Sequence, residues 1–349
     1  MFNKIFSSLS SAFGIDLGTS STLVYLEKEG IVINEPSVVA INQKTREILA
    51  IGREAQAMIG KTPPHIAAIQ PLVNGVISDF ELTEEMLKYF FKKFRKSPLG
   101  ILPHRPRVVV GVPCGVTEVE RKAVEDAAYN AGAGQVYLVE EPMAAAIGSR
   151  LPVFEPSGNI IIDIGGGTSE AAVISLGGIV KFKSLKIAGQ KFNEDIIKYV
   201  REEFRLLIGE PTAERAKIEV GSATPLGEKL EMAIRGRDLS TGLPKEVIIT
   251  SQEIAKALDK SLKILIEAIH SLIEETPPEL VADIYLKNIW LSGGGSLLRN
   301  LDRLFEDYCE IPVHLVDDPL TAMVRGTGMI LEDLEKFKSI LIYEKKSAF

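Results

Sequence analysis

One short pattern, written twice in this chain, limits what it can fold into. The first copy is Gly14-Ile15-Asp16-Leu17-Gly18-Thr19-Ser20-Ser21-Thr22-Leu23-Val24, and the second is Ile162-Asp163-Ile164-Gly165-Gly166-Gly167-Thr168-Ser169-Glu170-Ala171-Ala172-Val173. In each, an apolar β-prone run reaches an aspartate, passes through glycine and small hydroxyl residues, and enters a second apolar run. Both therefore read as strand, tight turn, strand. The two aspartates lie 147 positions apart, which is too long for a solenoid repeat and suits two related lobes. No Pro- or Ser-rich linker separates the copies, so the lobes are expected to form one coupled unit.

The residue types of the pattern point to phosphate. Glycine lets backbone N–H groups approach an anion without a Cβ in the way, and Thr and Ser hydroxyls add donors. An aspartate repels phosphate but can hold the water shell of Mg²⁺, which binds through one or two carboxylates plus the nucleotide. Two such hairpins facing each other would clasp a polyphosphate from both sides. Either hairpin taken singly leaves open an ordinary glycine turn; the matching pair carries the inference. Other nucleotide signatures fail. No G-x-x-x-x-G-K-[ST] occurs, and Gly132-Ala133-Gly134 precedes a strand and reads as a helix C-cap. A third cluster, Gly293-Gly294-Gly295-Ser296, fits either a flat nucleobase or ribose or a plain strand-to-helix turn, and the residues leave both open.

The flanks alternate in period. Residues 107–111, 135–139 and 288–291 read as strands. Residues 117–130 read as a helix with Thr117 and Glu120 as a capping box, and another helix begins at Met143 after Pro142. Residues 296–307 read as a helix with Leu297, Leu301 and Leu304 on one face, and 194–207, 212–220 and 251–274 as further helices. Strands alternating with helices imply a three-layer α/β body.

Charge and cysteines narrow the function classes. A net charge of −7 and a pI near 5.4 leave no global basic footprint for nucleic acid. Cys114 and Cys309 have no metal-like spacing, and no run of 18 apolar residues exists. The N-terminus lacks a convincing secretory signal. A reducing cytoplasmic setting is the expectation.

The two hairpins, Glu140-Glu141-Pro142 and the 293–295 glycines occur in the order found in the actin, DnaK-type chaperone and sugar-kinase superfamily. Three segments, Asn34-Glu35-Pro36-Ser37-Val38-Val39-Ala40, Glu141-Pro142-Met143-Ala144-Ala145-Ala146-Ile147-Gly148 and Gly293-Gly294-Gly295-Ser296-Leu297-Leu298-Arg299-Asn300-Leu301, resemble the MreB family. The likeness runs from about residue 13 to about 332. It implies an actin-like fold of two lobes around a nucleotide cleft: residues 1–150 with an inserted subdomain near 33–75 and an N-terminal segment 1–12, and residues 151–330 with an inserted subdomain near 185–245. Residues 331–349 would pack back on the first lobe.

The resemblance also implies roles. Asp16 and Asp163 would stand behind the water shell of Mg²⁺. Gly18, Thr19, Ser20 and Ser21 would contact ATP or ADP phosphates from one lobe, and Gly165, Gly166, Gly167 and Thr168 from the other. Glu214 and Lys217 match positions that reach the adenosine, and Gly293, Gly294, Gly295 and Ser296 would border the base. Glu141 matches the glutamate that positions the attacking water, with Thr168 nearby. That division suits γ-phosphoryl hydrolysis, which needs an aligned water and charge neutralisation more than covalent help. From the residues alone, the favoured reading of Glu141 is a helix-start acid near a positive dipole end. Ser20-Ser21 replaces a more usual Ala-Asn, which bears on nucleotide preference and rate.

Two segments suggest a membrane surface. Phe2, Ile5, Phe6 and Leu9 share one helical face, and Leu99, Ile101 and Leu102 form an apolar loop tip after Lys92, Lys93, Arg95 and Lys96. The resemblance therefore implies a slow ATPase that polymerises into filaments on the inner face of the cytoplasmic membrane and works with membrane proteins that set cell shape. A DnaK-type ATPase module is expected to need a substrate domain after the nucleotide body, and a small-molecule kinase an acceptor-activating base. Neither has a clear candidate in the sequence.

Overall fold

The computed structural model describes residues 12–94, 105–228 and 230–342. The Phe2, Ile5, Phe6 and Leu9 face and the Leu99, Ile101 and Leu102 tip lie outside the described residues. Two compact units emerge. Of the described residues, the first contains those up to Pro156, 174–179, and those from Leu320 to Ile342; the second contains those within 157–173 and 180–319.

Ten strands build the two main sheets. They are β1 (Ala12–Leu17), β2 (Ser21–Leu26), β3 (Gly30–Pro36), β4 (Arg107–Val112), β5 (Gln135–Glu140), β6 (Asn159–Ile164), β7 (Ser169–Ser175), β8 (Gly178–Leu185), β9 (Ile289–Ser292) and β10 (Val313–Leu315). The first sheet has the order β5-β4-β1-β2-β3 and the second β10-β9-β6-β7-β8. The orders are the same, with the repeated pattern at β1-turn-β2 and β6-turn-β7. In the first sheet β1 runs antiparallel to β2 and parallel to β4; in the second, β6 runs parallel to β9. The duplication expected from two short motifs thus extends to whole sheets.

Nine helices matter here. They are α1 (Phe80–Phe94), α2 (Glu118–Asn130), α3 (Glu141–Gly148), α4 (Gly189–Glu203), α5 (Glu210–Val220), α6 (Ser251–Glu274), α7 (Pro278–Lys287), α8 (Leu301–Cys309) and α9 (Ala322–Glu332). Their apolar stripes cover the sheets. Met86, Leu87, Phe90 and Phe91 of α1 join Phe13, Ile15, Val108 and Val110 in one core, and the rings of Phe13 and Phe91 stack at 5.3 Å. Ile160, Ile161, Ile162 and Ile164 of β6 are all buried, as expected for a strand covered on both faces. Helices α3 and α9 touch backbone to backbone. A Cβ on Gly148 would run into the Ala322 carbonyl, and one on Gly326 into that of Ala144.

Two smaller three-stranded sheets and a two-stranded hairpin, Leu72–Val73 with Val76–Ile77, complete the units. One three-stranded sheet orders Ile48–Ile51, Val39–Asn42 and Ile66–Ile69; the other orders Leu206–Leu207, Glu231–Asp238 and Pro244–Thr250. At the far end, the Ile342 N–H donates to the Leu138 carbonyl at 2.9 Å, which ties this segment to β5.

Thr117 and Glu120 form the expected capping box on α2. Three helix boundaries differ from expectation. α4 starts at Gly189, because its first N–H groups find acceptors in the Gly165 and Gly166 carbonyls, and it stops before Arg205, which sits at φ 53°. Leu206–Leu207 therefore forms a short strand, not the end of a helix. The helix expected over 296–307 is two pieces. A 3-10 turn covers Gly294–Leu297, Leu298 is extended, and Asn300 adopts a left-handed conformation before α8. Leu297 is consequently 49% exposed while Leu301 is buried. Finally, α3 begins at Glu141, with Pro142 in the first turn where a missing N–H costs nothing.

Candidate functional site

The β1–β2 turn is clamped from behind. Ser37 Oγ donates to the Gly18 carbonyl at 2.6 Å, and the Ser37 N–H donates to the Ser20 carbonyl at 3.1 Å. Ser37 has only one hydroxyl hydrogen, so Thr22 is the donor in the 2.9 Å Thr22–Ser37 contact. Thr19 is also held, since its Oγ1 accepts from the Gly75 N–H at 2.9 Å. Ser20 is exposed and Ser21 half-buried. A Cβ on Gly18 would stand 2.7 Å from the Ser21 carbonyl, so the tightness of the turn requires glycine. Asp16 is half-buried at the end of β1.

The β6–β7 turn has the same outline and different supports. The Gly165 N–H donates to the Thr168 carbonyl at 2.9 Å, closing the turn. Gly189 and Gln190, opening α4, donate to Gly165 and Gly166 at 3.1 and 2.8 Å. Those bonds occupy the carbonyls. Asp163 lies opposite Ser292 in the parallel β6–β9 register, and Ser292 Oγ donates to Asp163 Oδ1 at 2.5 Å. Burial pushes the Asp163 carboxyl above its ordinary range, and the Ser292 hydroxyl offsets only part of that rise. A carboxylate so poorly compensated suits a cation carried on the ligand side, the arrangement a water-clad Mg²⁺ uses. Among the described residues, no group of three or more His, Cys, Asp or Glu side chains forms a metal cage.

The third glycine cluster packs directly on this turn. Gly293 sits at φ 80°, and a Cβ there would run into the Ile164 backbone; a Cβ on Gly295 would strike the Ile164 side chain. Ser296 Oγ donates to the Gly293 carbonyl at 2.6 Å, locking the 3-10 turn. Gly294 is exposed.

Glu214 and Lys217 do come together. On α5, Lys217 Nζ donates to Glu214 Oε2 at 2.8 Å and to the Gly189 carbonyl at 2.9 Å. Asn193 of α4 donates to the same Glu214 oxygen at 2.6 Å. The polar cluster is therefore one hydrogen-bonded step from the Gly165–Gly166 turn, through Gly189.

Glu141 is the first residue of α3 and is half-buried. Its neighbour Glu140 is desolvated, which raises its carboxyl, while the nearby Arg121 guanidinium lowers it in smaller measure. Asp16, Gly18, Thr19, Ser20, Ser21 and Glu141 belong to the first unit; Asp163, Gly165, Gly166, Gly167, Thr168, Glu214, Lys217 and Gly293 to Ser296 belong to the second. Three supporting residues escaped sequence reasoning. Ser37 lay inside the Asn34–Ala40 segment and Ser292 just before the glycines, so position gave a hint of each. Asn193 had no signal, because a mid-helix asparagine declares nothing about its partner.

Comparison with known proteins gives a consistent picture. A family model described as MreB/Mbl protein matches residues 10–339. The chain is 47% identical to the cell shape-determining protein MreB of Escherichia coli K12, over 99% of this chain and 100% of that protein. It is 45% identical to the cell shape-determining protein Mbl of Bacillus subtilis, over 93% and 96%. Among solved structures it is similar to MreB5 of Spiroplasma citri bound to ADP, and to the same protein bound to AMPPNP. Each shows a TM-score of 0.89 and 39% identity, covering 95% of this chain and 98% of the other. A MamK double helical filament shares the fold, with TM-score 0.78 at 23% identity over 93% and 99%.

Proposed function

The chain belongs to the MreB/Mbl family, and we propose that it is an ATP-binding, slowly ATP-hydrolysing filament protein that helps determine cell shape. The observation that carries this reading is the pair of equivalent strand–turn–strand units, β1–β2 and β6–β7, in a chain 39% identical to a protein solved with ADP and with AMPPNP. Gly18, Thr19, Ser20 and Ser21 bind phosphate oxygens from the first unit; Gly165, Gly166, Gly167 and Thr168 do so from the second.

Glu214 and Lys217 bind the nucleoside. The 293–296 turn borders the base with backbone, since its serine hydroxyl is already spent on Gly293. Asp163 and Asp16 fit Mg²⁺ held through water. Bound there, the ion would neutralise charge on the phosphates. Glu141 accepts a hydrogen bond from the attacking water and aligns it with the γ-phosphorus, and Thr168 helps hold that water. Positioning of this kind suffices for phosphoryl transfer to water, which needs little covalent assistance.

Polymerisation follows from the family, not from a contact in one chain. Attachment to the inner face of the membrane is supported by the Phe2, Ile5, Phe6 and Leu9 stripe and the Leu99, Ile101 and Leu102 tip. No described helix is long and apolar enough to cross a membrane, so the association would be peripheral.

Sedimentation with and without Mg-ATP, in the presence and absence of anionic lipid vesicles, tests the proposal. The expected result is nucleotide-dependent pelleting that deletion of residues 2–9 uncouples from the vesicles. A protein that stays monomeric at high concentration with Mg-ATP and lipid would overturn the filament reading.

A further inference from the structure

We infer that Asn193 is a positioning residue that holds Glu214 for the sugar hydroxyls of the nucleotide; this rests on the proposal that α5 faces the nucleoside. Asn193 is only 3% exposed, within α4. Its Nδ2 donates to Glu214 Oε2 at 2.6 Å, while its Oδ1 is buried without a partner among the described residues. Turning the amide over would face its oxygen to the Glu214 carboxylate, acceptor against acceptor, so the orientation is fixed by chemistry.

A buried acceptor left unpaired is a net cost to folding. An apolar side chain of similar volume, such as leucine, would avoid that cost. The amide is therefore of use here through its N–H end, and that end is committed to Glu214.

The consequence for Glu214 is geometric. Asn193 and Lys217 both bind Oε2, which fixes the carboxylate plane and leaves Oε1 with no partner among the described residues. The Glu214 side chain is 44% exposed, whereas Lys217 is 12% exposed. A fixed carboxylate oxygen accepts from a donor. Lys217 reaches the Gly189 carbonyl, and Gly189 donates to the Gly165 turn, so the free oxygen belongs to the part of the nucleotide next to the phosphates. That part is the ribose, whose hydroxyls are donors. Among ligand chemistries, a ribonucleotide is thus favoured over its deoxy analogue, and Asn193 sets the margin by keeping Glu214 from swinging into solvent.

Calorimetric titration of ADP and of 2′,3′-dideoxy-ADP tests this, using the whole chain and its Asn193→Leu variant. The unsubstituted protein is expected to prefer ADP by about tenfold, the scale of one hydrogen bond to a charged group. Asn193→Leu is expected to keep or raise the melting temperature, weaken ADP binding severalfold, and shrink the preference to about twofold or less. A merely structural residue would do the reverse, lowering the melting temperature and leaving the ratio intact. Should the leucine variant fail to fold, Asn193→Ala gives the same readout with a smaller side chain. Loss of ADP binding in the unsubstituted protein would overturn the nucleotide reading itself. Normal ADP binding, with no preference in the unsubstituted protein or with a preference that survives in Asn193→Leu, would overturn only this assignment.

Discussion

Ser37 Oγ donates to the Gly18 carbonyl at 2.6 Å, so a residue 19 positions downstream holds the β1–β2 turn closed. Ser37 is fully buried, and Thr22, equally buried, donates to it in turn. The clamp joins the two short motifs of the first unit that looked separate in sequence. Replacing Ser37 by alanine leaves the Thr22 hydroxyl and the Gly18 carbonyl without this partner. Ser37→Ala is expected to destabilise the first unit by about 1–3 kcal/mol and to weaken nucleotide binding through a looser turn. Denaturant unfolding and an ADP titration check both; an unchanged midpoint would mean that the turn holds itself.

The second unit adds close backbone approach to the hydrogen bonds that hold its turn. Gly293 combines φ 80° with a Cβ direction aimed at the Ile164 backbone. Alanine there suffers both a left-handed backbone and a collision that no side-chain rotation relieves. Gly293→Ala is expected to cost at least about 2 kcal/mol and to shift Asp163, one residue from Ile164. Thermal unfolding is the measurement, and a variant as stable as the parent would show that the turn can move aside.

Much of this was legible in the chain. The two aspartate hairpins gave the duplicated sheets, because period and turn residues are local signals. What was missed is tertiary. The start of α4 at Gly189 depends on carbonyls of the β6–β7 turn, and the break between Leu297 and Leu301 depends on packing of glycine backbone against Ile164. No window of sequence contains both sides of such a contact. The same holds for Asn193, whose meaning lies in a partner on another helix. Resemblance supplied Glu214 and Lys217, but their mutual bond and the third member of the cluster came only from the structure.

Glu140 offers a test by pH. Its carboxyl is raised above the ordinary value of 4.5 mainly by burial, so the folded state keeps the proton at a pH where the unfolded chain has lost it. Stability attributable to this group is therefore full below about 4.5 and declines as pH rises through the higher folded value. Glu140→Gln removes the titration. The variant is expected to melt higher than the parent at pH 7.5 and to match it near pH 4. Parallel melting curves at both pH values would place the burden of burial elsewhere.

Glu141 separates binding from chemistry. It opens α3 beside Glu140, and a Cβ on Gly111 would come within 3.4 Å of its Cγ, so the side chain lies along the end of β4. If it aligns the attacking water, Glu141→Ala should leave ADP affinity within about twofold and slow phosphate release by about 10²-fold or more, the scale of a lost general-base or water-orienting group. If Glu141 only complements the α3 dipole, its removal costs about 0.3–1 kcal/mol of stability and leaves turnover intact. Phosphate release measured beside a melting curve divides the two roles. Turnover unchanged in a variant that melts lower would take Glu141 out of the reaction and return the water-positioning duty to another residue.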